Sequence, residues 1–320
     1  MEGIKLMNKK ITNRINVFLF LLPALVLFLV ILIIPIGLSG YYSLQEWNGI
    51  GAMKFVGIEN YKKVFSDSVG LGPAIRNSII LAILSTFVQL PVSLGLALLL
   101  GKGIKGERIF LSVFFMPVLI STVVIGQLWL KIYYPEQGML SVLLSGFKIG
   151  GKSIEDGIVS WINNMNAKLP IPKPPYKNVP WLGNQYTALA CCFIPILWQY
   201  VGYHMLLLYA GVKSVPPELR EAAKIDGATD GQINKYIVIP QIKPIIKICV
   251  IFAVTGSLKS FDLIYVLVAK PKVADVPSTV MYNEMFSANN YGTGSAIAVM
   301  LIVLCFVFAM IISAIFKKED

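Results

Sequence analysis

Long apolar runs constrain this chain more than any other feature of its sequence. A helix needs about 20 predominantly apolar residues to cross the hydrocarbon core of a bilayer. Runs of that length recur along the chain and predict six transmembrane helices, at 17–38, 74–100, 109–133, 186–210, 245–268 and 295–316. With 56% hydrophobic and 14% charged residues and a mean hydropathy of +0.71, the composition excludes an ordinary soluble domain. The predicted fold class is all-α, a polytopic membrane protein.

The distribution of lysine and arginine predicts the orientation of these helices. Positive charge collects before residue 17, in the 101–108 turn, in the 211–244 loop and in the tail. Short loops rich in lysine and arginine remain on the cytoplasmic side of a membrane. We therefore expect both termini and the 211–244 loop in the cytoplasm, with the long 135–184 loop outside a plasma membrane. This pattern assigns the net charge of +11 to membrane orientation and not to nucleic-acid binding.

The cysteines carry no sign of a disulfide framework or a metal site. All four lie inside apolar runs, where free cysteine behaves as a small hydrophobic residue: Cys191, Cys192, Cys249 and Cys305.

The 211–244 loop reads as two short helices joined by a turn. Ser214 is a candidate N-cap for the first helix, and Gly227 ends that helix where a left-handed residue is favoured. Thr229 followed by Gln232 has the spacing of a capping box that opens the second helix. We expect this hairpin to dock into a partner at the membrane edge.

The same loop carries a family resemblance. The spacing of Glu221-Ala222-Ala223, Gly227 and the segment 237–240 resembles the EAA loop of permease subunits of binding-protein-dependent ABC importers. The segments 55–61, 256–262 and 291–296 are similar to the sugar-permease branch, of the maltose and glycerol-phosphate type. The resemblance implies a single transmembrane domain over 1–320 with a MetI-like ABC importer permease fold. It also implies passage of a sugar or oligosaccharide to the cytoplasm by alternating access.

The resemblance further implies partners and a division of labour. An extracellular solute-binding protein would deliver the sugar, a second permease would complete the pathway as a heterodimer, and a cytoplasmic ATPase dimer would bind ATP and magnesium. This chain would then hold no cofactor or metal and would not be an enzyme. The residues expected to couple it to the ATPase are Glu218, Glu221, Ala222, Ala223, Asp226 and Gly227.

Polar residues inside the fourth and fifth apolar runs are candidates for substrate binding. Ionisable groups within a membrane span are costly, and sugars are bound by aromatic faces together with amide or carboxylate groups. In the maltose-type relative the sugar contacts come from these two spans, and the matching residues here are Gln199, Tyr200, Tyr203, His204, Ser257, Lys259 and Asp262. Three structural roles remain open: Lys259 and Asp262 as an i,i+3 ion pair, His204 as an interhelical donor, and Gln89 and Gln127 as interhelical contacts.

A phosphate-loop pattern, GxxxxGKS, occurs at 146–153. Nucleotide binding there requires a preceding strand, a following helix and a carboxylate after a second buried strand, and the sequence offers no such strand and carboxylate. We therefore reject ATP binding and expect Ser153 to cap a helix whose apolar face begins at Ile154.

Two other classes of function are open to a chain of this composition. A stand-alone channel or secondary transporter is the alternative. Proton-coupled transport would need a relay of carboxylates, of which only Asp262 lies deep in a span, and the absence of a visible internal repeat argues weakly against a secondary transporter. A membrane enzyme is disfavoured because the sequence shows no nucleophile–base set and no metal cluster.

Overall fold

The computed structural model describes residues 16–66, 69–149, 151–168, 175–268 and 273–317. By its internal contacts the chain divides into two units, one of residues up to 65 with 281–300, and one of 66–280 with the residues from 301. Each unit is described by itself.

The first unit begins with a long helix, α1 (Asn16–Ser43), whose most apolar 18-residue window contains no buried residue. A helix that is apolar on all sides is suited to a membrane. A two-stranded antiparallel hairpin follows, β1 (Gln45–Glu46) with β2 (Lys54–Phe55), and then a short helix α2 (Glu59–Val64). Asn60 fixes this arrangement, since its amide Nδ2 donates to the carbonyl oxygens of Ser43 at 2.9 Å and Gln45 at 2.8 Å.

The second unit begins with α3 (Leu71–Leu100), which contains one π-helical turn at Ser85–Gln89. The predicted span over 109–133 is broken into α4 (Glu107–Leu119) and α5 (Thr122–Ile132), bent by 93° at the break. Pro117 lies inside α4, and Ile120 has an extended backbone with ψ 137°. Pro117 cannot donate the backbone hydrogen bond to residue 113, and the chain leaves the helical conformation three residues after it, at Ile120.

The described residues of the 135–184 loop form helices and a hairpin. The loop contains α6 (Met139–Gly146), a hairpin of β3 (Lys148–Ile149) and β4 (Lys152–Ser153), and α7 (Ile154–Ala167). The predicted cap of α7 is confirmed, because the Asp156 N–H donates to Ser153 Oγ and the Ser153 N–H donates to the Asp156 carboxylate. These elements surround a cluster of buried side chains that contains Tyr133, Ile162, Val179, Trp181 and Cys191.

The GxxxxGKS segment therefore forms an antiparallel hairpin between two helices, although Gly150 lies outside the described residues. Among the residues that the structure describes, strands occur only in this hairpin and in the β1–β2 hairpin. A phosphate loop instead connects a buried parallel strand directly to a helix.

Helix α8 (Ala188–Ser214) is the next long helix of the second unit. It lies close to α4 at Gly202, where a β-carbon would collide with the backbone carbonyl of Phe114. Glycine at this position allows the two helices to approach at backbone distance.

The 211–244 loop, which the sequence predicts in the cytoplasm, contains α9 (Pro217–Ile225) and α10. Helix α10 covers 230–241, and its middle turn, Asn234–Val238, is π-helical. The fifth predicted span is interrupted: α11 (Lys243–Leu258) ends before α12 (Asp262–Leu267) begins. Two further helices complete the described chain, α13 (Pro277–Tyr282), continued by a π-helical turn at Asn283–Ser287, and α14 (Tyr291–Lys317).

In the described part of the chain, five helical segments are long and apolar enough to cross a membrane, or six if the bent α4–α5 pair is one span. The all-α, six-span prediction agrees with this observation. All four cysteines are free, with Cys191, Cys192 and Cys249 buried and Cys305 partly buried.

Candidate functional site

A cavity of about 400 Å³ lies among α3, α8, α11 and the break before α12. All seven residues that the sequence predicts as substrate contacts line it, together with Thr122 at the start of α5. The structure thus brings together two segments, 199–204 and 257–262, that lie more than 50 residues apart in the sequence.

The break between α11 and α12 shapes one wall of this cavity. Phe261 leaves the helical conformation, with φ −135° and ψ −70°. The hydroxyl of Ser278 donates to the backbone carbonyl of Ser260, which satisfies an acceptor that the helix no longer uses. Irregular backbone is tolerated at membrane depth where it lines a cavity and finds such partners.

The break also overturns one alternative from the sequence. The sequence allows Lys259 and Asp262 to form an i,i+3 ion pair, but none of the ion pairs in the described part of the chain joins them. Both side chains are exposed in this chain and line the cavity. The helical spacing on which the pairing depended ends at Leu258, so the pair does not form.

Hydrogen bonds orient two of the predicted contacts. The Gln199 amide donates to the hydroxyl of Thr122 at 3.3 Å. The hydroxyl of Ser257 donates to the carbonyl of Ala253 at 2.8 Å and lies 3.1 Å from the hydroxyl of Ser85. These contacts link α8 to α5 and α11 to α3, so both polar side chains are held by a neighbouring helix.

His204 and Gln89 contact each other across two helices, and the sequence had left an interhelical role open for both residues. His204 Nδ1 lies 2.9 Å from Gln89 Nε2 and 3.1 Å from the carbonyl oxygen of Tyr200. Both side chains are buried and both also line the cavity. An interhelical contact and a position in the cavity wall are therefore compatible for both residues.

Aromatic rings accompany these polar groups. The rings of Tyr203 and Phe252 lie 6.4 Å apart and both border the cavity. Phe252, Ser85, Gln89 and Thr122 were not predicted as lining residues. Counting helical turns back from Lys259 would have found Phe252, whereas the others belong to helices whose packing the sequence does not reveal.

A second candidate site is the segment 217–241, which we call the coupling hairpin. Five of its six predicted contact residues are exposed: Glu218, Glu221, Ala222, Asp226 and Gly227. Ala223 instead is half-buried against a cluster that contains Val212, Val215 and Val238. The structure therefore turns Ala223 toward the chain's own core, because α9 buries the face that carries Arg220 and Ala223.

Two apolar side chains on α9 were missed. Ile225 is 87% exposed and Leu219 is 43% exposed. Ile225 shares the outward face with Glu218, Glu221 and Ala222, as helical spacing requires. The amphipathic spacing of α9 could have identified Ile225 as a contact residue.

The turn of the coupling hairpin follows the sequence prediction. Gly227 has φ +81°, a left-handed conformation, and the Ala228 N–H donates to the Ala223 carbonyl at 2.9 Å. The capping box is present, with the Thr229 N–H donating to the Gln232 side chain at 2.7 Å. The predicted Ser214 cap is wrong: α8 continues through Ser214, whose hydroxyl donates to the carbonyl of Gly211.

Polar contacts tie the coupling hairpin to the helices above it. The Arg220 guanidinium donates to the carbonyl of Val212 at the end of α8. Lys102 Nζ donates to Asp230 Oδ2 at 2.8 Å. The hydrogen bond and the positive charge of Lys102 together hold the pKa of Asp230 below its ordinary value.

Comparison with known proteins identifies the family. The family described as "Binding-protein-dependent transport system inner membrane component" matches residues 8–319. The chain belongs to that family. The permease is 32% identical to the "Probable ABC transporter permease protein YurN" of Bacillus subtilis, over 96% of this chain and 99% of the relative. It is 26% identical to the "Trehalose/maltose transport system permease protein MalF" of Thermococcus litoralis, over 92% of this chain and 91% of that one.

Solved structures agree on the fold. A chain in the crystal structure of a bacterial alginate ABC transporter, in complex with a periplasmic protein bound to an alginate pentasaccharide, superposes with a TM-score of 0.76. It is 21% identical, and the match covers 97% of each chain. The permease therefore has the ABC importer permease fold. The family match and the relatives named as permeases identify it as a membrane-spanning transport subunit rather than an enzyme.

Proposed function

We propose that this permease forms half of the transmembrane pathway of an ABC importer for a sugar or oligosaccharide, and that the substrate passes through the cavity between α8 and α11. The observation that carries the proposal is the convergence of Gln199, Tyr203, Ser257, Lys259 and Asp262 on that cavity. Relatives named for diacetylchitobiose uptake and for trehalose or maltose transport support a carbohydrate substrate.

The chemistry of the cavity suits a sugar. Amide, hydroxyl and carboxylate groups can exchange hydrogen bonds with substrate hydroxyls, and the rings of Tyr203 and Phe252 can cover C–H faces. Ligand sites commonly combine apolar walls with a few oriented polar groups. Gln199 and Ser257 meet that condition, since hydrogen bonds to Thr122 and Ser85 already orient them.

The coupling hairpin supports the proposed partnership with a cytoplasmic ATPase dimer, which would bind ATP and magnesium. The outward face of α9 offers Ile225 with Glu218, Glu221 and Ala222 to a partner. Closure of the ATPase would move α9, and Arg220 would transmit that movement to Val212 on α8. Val212 lies eight residues beyond His204 on the same helix, about 12 Å along its axis. Motion of the hairpin would thus reach the cavity wall.

The remaining partners and the orientation belong to the same proposal. A second, similar permease would supply the other half of the pathway, and an extracellular binding protein would deliver the sugar. Both termini and the coupling hairpin would lie in the cytoplasm of a cell with this chain in its plasma membrane, because the hairpin region is rich in lysine and arginine.

The test is transport by the assembled complex in lipid vesicles. The permease, its genomic neighbour permease, the ATPase and the binding protein would be reconstituted and offered labelled mono- and oligosaccharides. We expect uptake of one sugar class that requires both ATP and the binding protein. Uptake that persists without either one would support the alternative, a stand-alone channel or secondary transporter, and would overturn the proposal.

A further inference from the structure

The short helix α6 (Met139–Gly146) has apolar side chains on both of its sides. One side packs inward: Leu140 and Leu144 contact the cluster around Tyr133, and Ser141 accepts a hydrogen bond from the indole N–H of Trp181 at 3.0 Å. The other side is uncovered. Met139, Val142, Leu143 and the adjacent Phe147 are 59%, 56%, 51% and 62% exposed. We call these four residues the α6 patch.

The neighbouring helix α7 is also exposed, but its outer face is polar, so the apolar character of the α6 patch needs a separate explanation. The exposed face of α7 carries Asp156, Ser160 and Asn164, as expected for a helix that faces water. Its exposed Trp161 has a partner, the ring of Tyr186 at 5.8 Å. Two helices of one small subdomain thus present outer faces of opposite character, and contiguous exposed apolar residues mark a surface that something covers.

The position of α6 indicates what covers it. The helix begins six residues after Tyr133, beside the end of α5, the second half of the bent α4–α5 pair, where the Gly138 N–H donates to the carbonyl of Tyr134. Tyr134 is 60% exposed, and Lys131 and Lys148 are exposed at either end of the segment. Tyrosine and lysine flank apolar segments at the boundary between lipid and water, with the lysine amines reaching the headgroups.

The polar groups of α6 fit lipid better than a protein partner. The hydroxyl of Ser145 donates to the carbonyl of Val142 at 2.9 Å, so this exposed side chain is already satisfied within the helix. A protein interface carries about one hydrogen bond per 100–200 Å². The α6 patch offers no side-chain donor or acceptor for such bonds, whereas lipid acyl chains require none.

We infer that α6 is an interfacial helix whose patch lies in the lipid boundary region next to α5. It would anchor the extracytoplasmic subdomain of α6 and α7 to the bilayer surface and fix its height above the cavity. This role concerns only the subdomain of α6 and α7, so it does not depend on which substrate the permease carries.

Site-directed spin labelling of the assembled transporter tests the inference. Single cysteines at Val142 and Leu143 on the patch, and at Asn164 on the polar face of α7 as the matched control, would carry a nitroxide in a background with Cys305→Ser. Vesicles of phosphatidylethanolamine and phosphatidylglycerol provide the bilayer. The measurements are collision rates of the label with oxygen, which concentrates in lipid, and with a water-soluble nickel chelate.

We expect labels at 142 and 143 to collide more with oxygen and less with nickel than the label at 164. Two patch positions are used so that one poorly folded variant does not decide the result. Nickel access at 142 and 143 equal to that at 164 would show a water-exposed helix and would overturn the inference. Low access to both reagents that rises when the binding protein is omitted would assign the patch to a protein partner, with the same consequence.

Discussion

Lys102 Nζ lies 2.8 Å from Asp230 Oδ2, which joins the turn after α3 to the first residue of α10 in the coupling hairpin. Both side chains are about half exposed, with relative areas of 45% and 54%. An exposed pair of this kind contributes little to stability and is weakened by salt. The contact therefore sets a preferred position for the hairpin without locking it.

We predict a small, pH-dependent effect from breaking this pair. Asp230→Asn should change ATP-driven uptake by no more than about twofold at neutral pH. Because the pKa of Asp230 is lowered in the folded protein, the pair stabilises the hairpin above the carboxyl's ordinary pKa. That contribution is lost as pH falls through the lowered value. Hydrogen exchange of amides 228–233, corrected for intrinsic rates, should thus show a difference between wild type and variant that shrinks under acid. A difference that grows as pH falls would contradict the assignment.

Gly227 and Gly231 provide a matched pair in the coupling hairpin. A β-carbon would meet no atom within 4 Å at either position, but only Gly227 has a positive φ, +81°. A β-branched residue in the left-handed conformation is strained by at least about 1–2 kcal/mol. Gly227→Val should leave the permease inserted in the membrane yet reduce the ATPase recovered with it, whereas Gly231→Val should retain the ATPase. Equal recovery from both variants in a pull-down from membranes would show that the turn geometry does not matter for docking.

Ala222 and Ala223 test which face of α9 meets the ATPase. Ala222 is exposed and Ala223 is half-buried on the chain's own core. Ala222→Glu should keep the hairpin resistant to limited proteolysis and lose ATPase binding. The same substitution at Ala223 should make the hairpin itself susceptible to cleavage, since a carboxylate cannot be buried there without a partner. If Ala223→Glu leaves the hairpin resistant while abolishing ATPase binding, then α9 is turned the other way in the complex.

The orientation can be tested at Lys148, which is exposed in the β3 strand between α6 and α7. Lys148→Cys should react with a membrane-impermeant thiol reagent added to intact cells, because the proposed orientation places the subdomain of α6 and α7 outside the plasma membrane. Lys224→Cys, on the coupling hairpin, serves as the control and should react only after lysis. The reverse pattern would invert the topology.

The sequence predicted those features that local chemistry determines. Apolar runs located the membrane helices, and Ser153 with Asp156 and Thr229 with Gln232 formed the predicted capping boxes. The left-handed Gly227 was also predicted correctly. Each of these depends on residues close together in the chain, so spacing alone was informative.

Features that depend on tertiary packing were not predictable in the same way. The sequence predicts the fifth span as one helix, in which Lys259 and Asp262 would have the spacing of an ion pair. In the structure the helix is broken between Leu258 and Asp262, and the Ser278 contact to Ser260 stabilises the break. The two side chains therefore lack the helical spacing that the pair requires. Likewise, serine is a residue type that favours the N-cap position, yet α8 continues through Ser214. The neighbouring Val212 and Val215 pack into the buried cluster that also contains Val238 of the coupling hairpin. Tertiary burial outweighed local preference in both places.

The most direct test of the central claim is sugar uptake by the reconstituted transporter after single substitutions in the cavity. Tyr203→Ala, Gln199→Ala and Ser257→Ala remove side chains that line it, while Trp198→Ala removes a neighbouring aromatic of α8 that does not. Complex assembly and the affinity of the binding protein for sugar should be unchanged in all four. We predict that uptake falls sharply for the three cavity variants and is largely kept by Trp198→Ala. Wild-type uptake in all three cavity variants would contradict the claim that the substrate passes through this cavity.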